Sequence, residues 1–289
     1  MARRLDLHPW DGLPNAAAGG RGWSLVHGDC VAALEQLPPH SVDLVFADPP
    51  YMLSNGGTTC QSGRRASVNK GAWDASGGVA ADHGFQRRWL EAARRVLKPS
   101  GTIWVSGTQH VIFSIGFAMQ ELGFHLLNTV TWYKPNASPN LACRFFTHST
   151  EILLWASPSK ARPLAHRFNY RAMKDANGGK QMRDLWQICE QPTPGGEQVV
   201  WSVPTPGPRE KVHGRHPTQK PLALLERIVA ASATPGDLVV DPFAGSATTG
   251  VAALQAGCRF LGMERDPAYL DLAMRRLRGA ELLPASEAR

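Results

Sequence analysis

An α/β fold is what this sequence predicts, and three observations carry it. Short apolar runs alternate with amphipathic ones. One apolar run, Val42 to Ala47, stops on Asp48-Pro49-Pro50-Tyr51. Another, Leu238 to Val240, runs into Asp241-Pro242-Phe243-Ala244-Gly245-Ser246-Ala247-Thr248-Thr249, a glycine-containing turn that opens a helix.

In chain order the apolar runs read as strands at Ser24–His27, Asp43–Ala47, Thr102–Ser106, Leu126–Lys134, Thr150–Ala156, Asp237–Asp241 and Arg259–Glu264. Helical spacing marks Val31–Gln36, Gly84–Leu97, Val111–Leu122, Pro221–Ala233, Ala247–Ala256 and Pro267–Leu277. In the second of these, Phe85, Trp89, Leu90, Ala93, Val96 and Leu97 form one core-facing stripe, and the arginines at 87, 88, 94 and 95 read as its solvated face. Two stretches lack periodicity. Residues 52–83 read as a long loop carrying Arg64, Arg65 and Lys70. Residues 157–212 read as an insertion in which Arg162, Arg167, Arg171, Lys174, Lys180 and Arg183 alternate with Phe168 and Tyr170, the footprint of a nucleic-acid surface. Residues 1–22, with Ala16-Ala17-Ala18-Gly19-Gly20, read as a mobile lead-in, and 281–289 as a tail.

Composition narrows the function classes. The chain has 289 residues and a formal charge of +7, which favours a polyanionic partner. The five cysteines are scattered without a Cys-x-x-Cys pair, so neither a metal site nor a disulfide framework is expected. There is no apolar run of membrane-spanning length and no apolar segment behind Arg3 and Arg4, so a cytoplasmic protein without membrane contact is expected.

Two prolines after the strand at 43–47 offer no N–H to continue a ladder, so a carboxylate, fixed carbonyls and an aromatic ring are left at a strand's C-terminal end. That set suits a flat ring with an exocyclic NH2: Tyr51 stacks on it, Asp48 accepts from one N–H and the Pro49 carbonyl from the other. The second turn lacks the dinucleotide pattern Gly-x-Gly-x-x-Gly and suits a nucleoside ligand better than a pyrophosphate. Glu264 ends the next strand, about 20 residues after the turn, where an acid characteristically holds ribose hydroxyls. Asp29, after the first strand, has two readings of equal standing: an acceptor for an adenine amine, or a helix cap.

Taken with Gly262-Met263-Glu264-Arg265-Asp266 and His216-Pro217-Thr218-Gln219-Lys220-Pro221, these pieces resemble the β-class S-adenosylmethionine-dependent DNA amino-methyltransferases. The catalytic tetrapeptide precedes the cofactor turn, the circularly permuted order of that class. Leu53-Ser54-Asn55-Gly56-Gly57, Lys70-Gly71-Ala72-Trp73-Asp74 and the stretch from Asn140 to Glu151 are similar to adenine methyltransferases of the GANTC-modifying and single-strand-active GATC kinds. Ala247 departs from the pattern, which usually has a second glycine there.

The resemblance implies a doubly wound, seven-stranded, mostly parallel sheet, a Rossmann-like fold with an antiparallel hairpin at one edge. The catalytic domain would span 23–156 and 213–280, with 157–212 as an inserted target-recognition region. It implies that Asp241, Phe243, Gly245, Ser246 and Thr248 surround the methionine moiety of the cofactor. Glu264 would hold the ribose, Asp29 the adenine, and Thr218 and Lys220 the carboxylate end, with Asp48 at the transferred methyl. The catalytic set is Asp48, Pro49, Pro50 and Tyr51, and the target is the N6 amine of adenine in DNA, reached by base flipping; the alternatives are cytosine N4 on the same fold and, behind it, an RNA adenine methyltransferase or a silent DNA-binding module. Partners implied are DNA, a second copy of the chain and a cognate restriction endonuclease, with the protein at the nucleoid.

Overall fold

The computed structural model describes residues 16–61, 64–67, 69–135, 137, 139–141, 143–160, 164–187, 206, 208–214 and 216–281. In chain order they form β1 (Ala16–Gly20), β2 (Trp23–His27), α1 (Cys30–Gln36), β3 (Val42–Ala47), β4 (Thr58–Gln61), β5 (Arg64–Ser67), α2 (Val79–Val96), β6 (Leu97–Gly107), α3 (Ile112–Glu121), β7 (His125–Tyr133), β8 (Thr150–Ser157), α4 (Tyr170–Ala176), β9 (Leu185–Gln187), α5 (Leu222–Ser232), β10 (Leu238–Asp241), α6 (Thr248–Gln255), β11 (Arg259–Glu264) and α7 (Pro267–Glu281). One sheet runs β1-β2-β11-β10-β3-β6-β8-β7-β9, and β4 and β5 make a separate hairpin.

All seven expected strands lie in this sheet, parallel except β8, which pairs antiparallel with β6 and β7. The two further strands sit at the edges. β1 was expected to belong to a mobile lead-in. It pairs antiparallel with β2 through backbone groups, which small residues permit. The edge is tied down by Glu281, whose carboxylate accepts from the Arg21 N–H at 2.9 Å and the Trp23 indole at 3.1 Å. β9 pairs parallel with β7 over Leu185 to Gln187. Residues 52–83 are not one structureless loop either: they hold the β4–β5 hairpin, a 3-10 turn at Ala72–Asp74 and the start of α2. Residues 1–15, 188–205 and 282–289, which include most of the expected lead-in and tail, lie outside the described residues.

Alternation along the strands sorts the core into two layers. Val45 and Ala47, Ile103 and Val105, and Leu261 and Met263 face α1, α2 and α3. Leu44 and Phe46, Trp104, Val239 and Phe260 face α5, α6 and α7. On the second face Trp104 stacks on Trp155 at 5.0 Å, tilts against Trp186 at 5.5 Å, and donates its indole N–H to Ser232 at 2.9 Å. The arginines of α2 do more than face water. Arg95 donates to the carbonyls of Leu34, Glu35 and Leu37 at the end of α1, and Arg94 to Pro158.

Topology sets the site. The chain passes from β2 through α1 to β3 but leaves two lanes between them, and the C-terminal strands β10 and β11 fill those lanes. The C-terminal tips of β2, β3, β10 and β11 therefore lie side by side, the edge at which open α/β sheets bind ligands. Trp104→Ala removes the centre of the tryptophan stack and unpairs Ser232. We expect a loss of about 3–5 kcal/mol, measured as a lowered urea midpoint against wild type.

Candidate active site

Asp48 follows the last residue of β3, and its carboxylate is held from three sides. Ser106, near the end of β6, donates to Oδ1 at 2.5 Å, and the Tyr51 hydroxyl donates to the same oxygen at 2.8 Å. The Lys220 ammonium donates to Oδ2 at 2.7 Å. Glu151, at the start of β8, completes the group: Oε1 accepts from Lys134 at 2.7 Å, and Oε2 lies 3.5 Å from Lys220 and 3.3 Å from the Tyr51 hydroxyl. Burial alone would raise the Glu151 pKa, but Lys220 and Lys134 outweigh it and hold the carboxyl at about 2. Burial works against the charge on Lys220, and Asp48 and Glu151 overcome it, so its pKa is raised. For Tyr51, burial and the neighbouring carboxylates push the phenol well above its usual range, so it stays a donor.

The backbone after the tetrapeptide is fixed by Asp74. This buried carboxylate accepts from the N–H groups of Met52 at 2.9 Å and Leu53 at 3.2 Å, and from the Ser54 hydroxyl at 3.0 Å. These bonds hold Met52 in the left-handed region at φ 57.

Beside Asp48 a cleft of about 470 Å3 crosses the tips of β2, β3, β10 and β11. Asp29 and Glu264 stand at its acidic edges, and Trp73, Phe85, Phe243 and Tyr269 contribute aromatic walls. Both readings of Asp29 are compatible with its position: Oδ1 caps α1 through Val31 and Ala32, at 3.0 and 3.1 Å, and the residue also lines the cleft. Glu264 accepts from Gly245 N–H at 2.8 Å and Asp266 N–H at 2.7 Å, so it also shapes the turn. Gly245 is required twice over: its φ is 51, and a Cβ would meet the His216 ring at 3.1 Å. His216 packs edge-on to Tyr269, and burial lowers its pKa to about 4, leaving a neutral imidazole over the cleft.

Of the ten residues expected to hold the cofactor, Asp29, Asp48, Thr218, Phe243, Gly245 and Glu264 line the cleft. The other four do not. Asp241 is buried and spends its carboxylate on Thr249 at 2.6 Å and Phe243 N–H at 2.9 Å; burial raises its pKa to about 7. Ser246 and Thr248 both accept from Arg276 at 2.8 Å. Arg276, buried on α7, therefore pins the turn from behind, a role sequence reading assigned to nobody. Lys220 faces the Asp48 carboxylate, where a closure at the carboxylate end of the cofactor had been expected. Ala247 takes up the left-handed conformation at φ 54 without a glycine. Its side chain is fully buried, so packing holds what the residue type disfavours.

The expected DNA-binding residues do not form one surface. Arg167 pairs with Asp237 and Thr234 at the start of β10, and its N–H bonds Ser100 near the start of β6. It therefore belongs to the edge of the sheet opposite the cleft. Asn169 ties the same segment to the end of α5, and α4, carrying exposed Arg171 and Lys174, begins there. Phe168, still 43% exposed, packs one edge against Trp155 at 5.3 Å. Lys180 and Arg183 are exposed on the approach to β9. Lys70 is half-buried beside Ser54, close to the tetrapeptide. Arg64 and Arg65 lie on β5, whose backbone alone is described, and Arg162 lies outside the described residues. No group of metal-ligating side chains occurs among the described residues, and Cys30, Cys143 and Cys258 are free thiols. No described helix is long and apolar enough to cross a membrane.

Three comparisons bear on this geometry. A family model described as "DNA methylase" matches residues 42–275. The Type II methyltransferase M2.LlaDCHI of Lactococcus lactis subsp. cremoris is 47% identical over 253 residues, 88% of each chain. M2.DpnII of Streptococcus pneumoniae, also a Type II methyltransferase, is 47% identical over 255 residues, again 88% of each chain. The solved M1.HpyAVI–SAM complex shares the fold with a TM-score of 0.58 at 24% identity, covering 88% of this chain and 98% of that one.

The neutral His216 makes stability depend on pH. Its folded pKa, about 4, lies below the ordinary 6.5, so below pH 6.5 the unfolded chain binds the extra proton. The His216 contribution is complete above pH 6.5 and is lost as pH falls toward 4. We expect His216→Asn to flatten this part of the melting-temperature profile, read by thermal scans between those pH values.

Proposed function

Since this chain belongs to the DNA methylase family and is an S-adenosylmethionine-dependent DNA methyltransferase, we propose that its target is the N6 amine of adenine, presented to Asp48 by base flipping. The observation that carries this reading is the position of Asp48, a carboxylate on the wall of the 470 Å3 cleft with Ser106 and Tyr51 fixing one of its oxygens.

The cleft fits the cofactor in size and donor set: acids for an amine and ribose hydroxyls, aromatic walls, and a neutral rather than cationic imidazole near a sulfonium. In this reading Asp29 faces the adenine, Glu264 the ribose, and Phe243, Gly245 and Thr218 the remaining length, while Asp241, Ser246 and Thr248 build the turn. When bound, S-adenosylmethionine supplies an electrophilic methyl group. The chain's own residues do the rest. Asp48 accepts one N–H of the exocyclic amine and the Pro49 carbonyl the other, which turns the nitrogen lone pair out of conjugation. Pro50, also on the cleft wall, keeps the tip rigid. Tyr51 stacks on the everted ring, worth about 1–3 kcal/mol. Charge develops on nitrogen during transfer, where a fixed carboxylate stabilises it most.

The catalytic domain is assigned to 23–156 and 213–280, and target recognition to 157–212 together with the β4–β5 hairpin, which follows directly on the tetrapeptide and carries Arg64 and Arg65. Support for a homodimer comes from α3, where Phe113 and Phe117 are exposed one turn apart beside an apolar cleft of about 550 Å3. The Type II names of the relatives support a restriction–modification setting with a partner endonuclease, and action on DNA would place the protein in the cytoplasm at the nucleoid.

Asp48→Asn keeps the shape and removes the charge. We expect methyl transfer to DNA to fall by about 100-fold or more, with S-adenosylmethionine affinity little changed in calorimetry. Mass spectrometry of digested DNA from wild-type reactions should show N6-methyladenine; N4-methylcytosine in its place would refute the adenine assignment.

A further inference from the structure

Glu151 has no place in the reaction as described, yet it is an almost fully buried carboxylate next to the catalytic one. Asp48 has few lone pairs to spare. Oδ1 receives two hydroxyls, and Oδ2 receives the Lys220 ammonium at 2.7 Å. An incoming exocyclic N–H must compete with that ammonium. Displacing Lys220 outright would strand a charge on a side chain that is only 8% exposed, which is strongly unfavourable. A second carboxylate oxygen stands ready: Glu151 Oε2 is 3.5 Å from the same Nζ, and Lys134 already occupies the other oxygen, Oε1, at 2.7 Å.

We propose that Glu151 is a positioning residue that receives the Lys220 ammonium when the target amine reaches Asp48. The inference rests on the reading of Asp48 as the amine's acceptor. The handover needs only a small swing of Nζ, which already donates to the Tyr51 hydroxyl at 3.2 Å between the two carboxylates. It leaves Asp48 Oδ2 open to the N–H. It also keeps a fixed positive charge off the carboxylate that must stabilise the positive charge developing on nitrogen. The charged and titratable groups facing Lys220 are Asp48 and Tyr51 from the β3 tip, Glu151 from β8 with Lys134 of β7 behind it, and His216 from its own segment.

The test is a double-mutant cycle on the full chain, read as single-turnover transfer of radiolabelled methyl to unmethylated DNA at saturating S-adenosylmethionine. Glu151→Gln should slow transfer by about 10- to 100-fold, with cofactor affinity unchanged. With Glu151 gone, Lys220 loses one of the two carboxylates that favour its charged form. Lys220 should then stay on Asp48 Oδ2, so the loss in the Gln variant should fall on the transfer rate and not on DNA affinity. In a Lys220→Met background the Glu151→Gln substitution should have no further effect. An unchanged rate, or the same loss with and without Lys220, overturns the proposal. A measurement that needs no variant is a crystal structure of wild type with target duplex and sinefungin: Lys220 Nζ is expected nearer Glu151 than Asp48, and the reverse order overturns it. Asp48→Asn separates the two readings. If that variant is inactive while wild type methylates DNA, the role of Asp48 stands whichever way Glu151 falls.

Discussion

The site depends on one short piece of parallel pairing, Leu44 and Val45 of β3 against Val239 and Val240 of β10. A slip of one residue would turn Leu44 and Phe46 out of one core layer and Val45 out of the other, so burial on both faces specifies the register. Asp43 adds a polar lock. One oxygen accepts from the Leu238 N–H at 3.0 Å and the other from Lys98 at 2.7 Å. With that register set, Asp48-Pro49-Pro50-Tyr51 and the turn after β10 are neighbours despite their distance in sequence. Every contact of the cleft follows from it.

Around this pairing the chain spends carboxylates on shape as much as on chemistry. Asp74 holds the loop behind Tyr51, Asp241 and Glu264 hold the turn before α6, and Arg276 holds that turn from the far side. Buried ions contribute little net stability, because desolvation cancels much of their attraction. Their value here is geometric. Each has one arrangement that satisfies it, so the tips of four strands are held in a single relation to one another.

The centre of the sheet was legible in the sequence because β3, β10 and β11 are buried on both faces and end at acids. The tetrapeptide and the turn announced themselves the same way. What escaped notice has physical reasons. β1 is alanine and glycine, with no side-chain pattern to betray a strand that pairs through its backbone. Glu151 opens an apolar strand and looks like any solvent-facing end residue; only the arrival of Lys134 and Lys220 from elsewhere makes it part of the site. Arg167 counted toward a basic, aromatic stretch, and composition cannot tell an arginine that locks a sheet edge to Asp237 from one that faces a phosphate. Asp241, Ser246 and Thr248 turn their side chains to Thr249 and Arg276, and the sequence does not say that Arg276 lies behind the turn.

The quartet of Asp48, Glu151, Lys134 and Lys220 carries two negative and two positive charges on side chains only 8–19% exposed. Mobile ions screen exposed charges over roughly 8–10 Å and reach buried pairs much less. DNA capture by surface lysines and arginines weakens steeply with ionic strength. The ion pairs of the quartet are screened much less than those surface contacts. An increase in salt thus acts on this protein first as a tether being loosened.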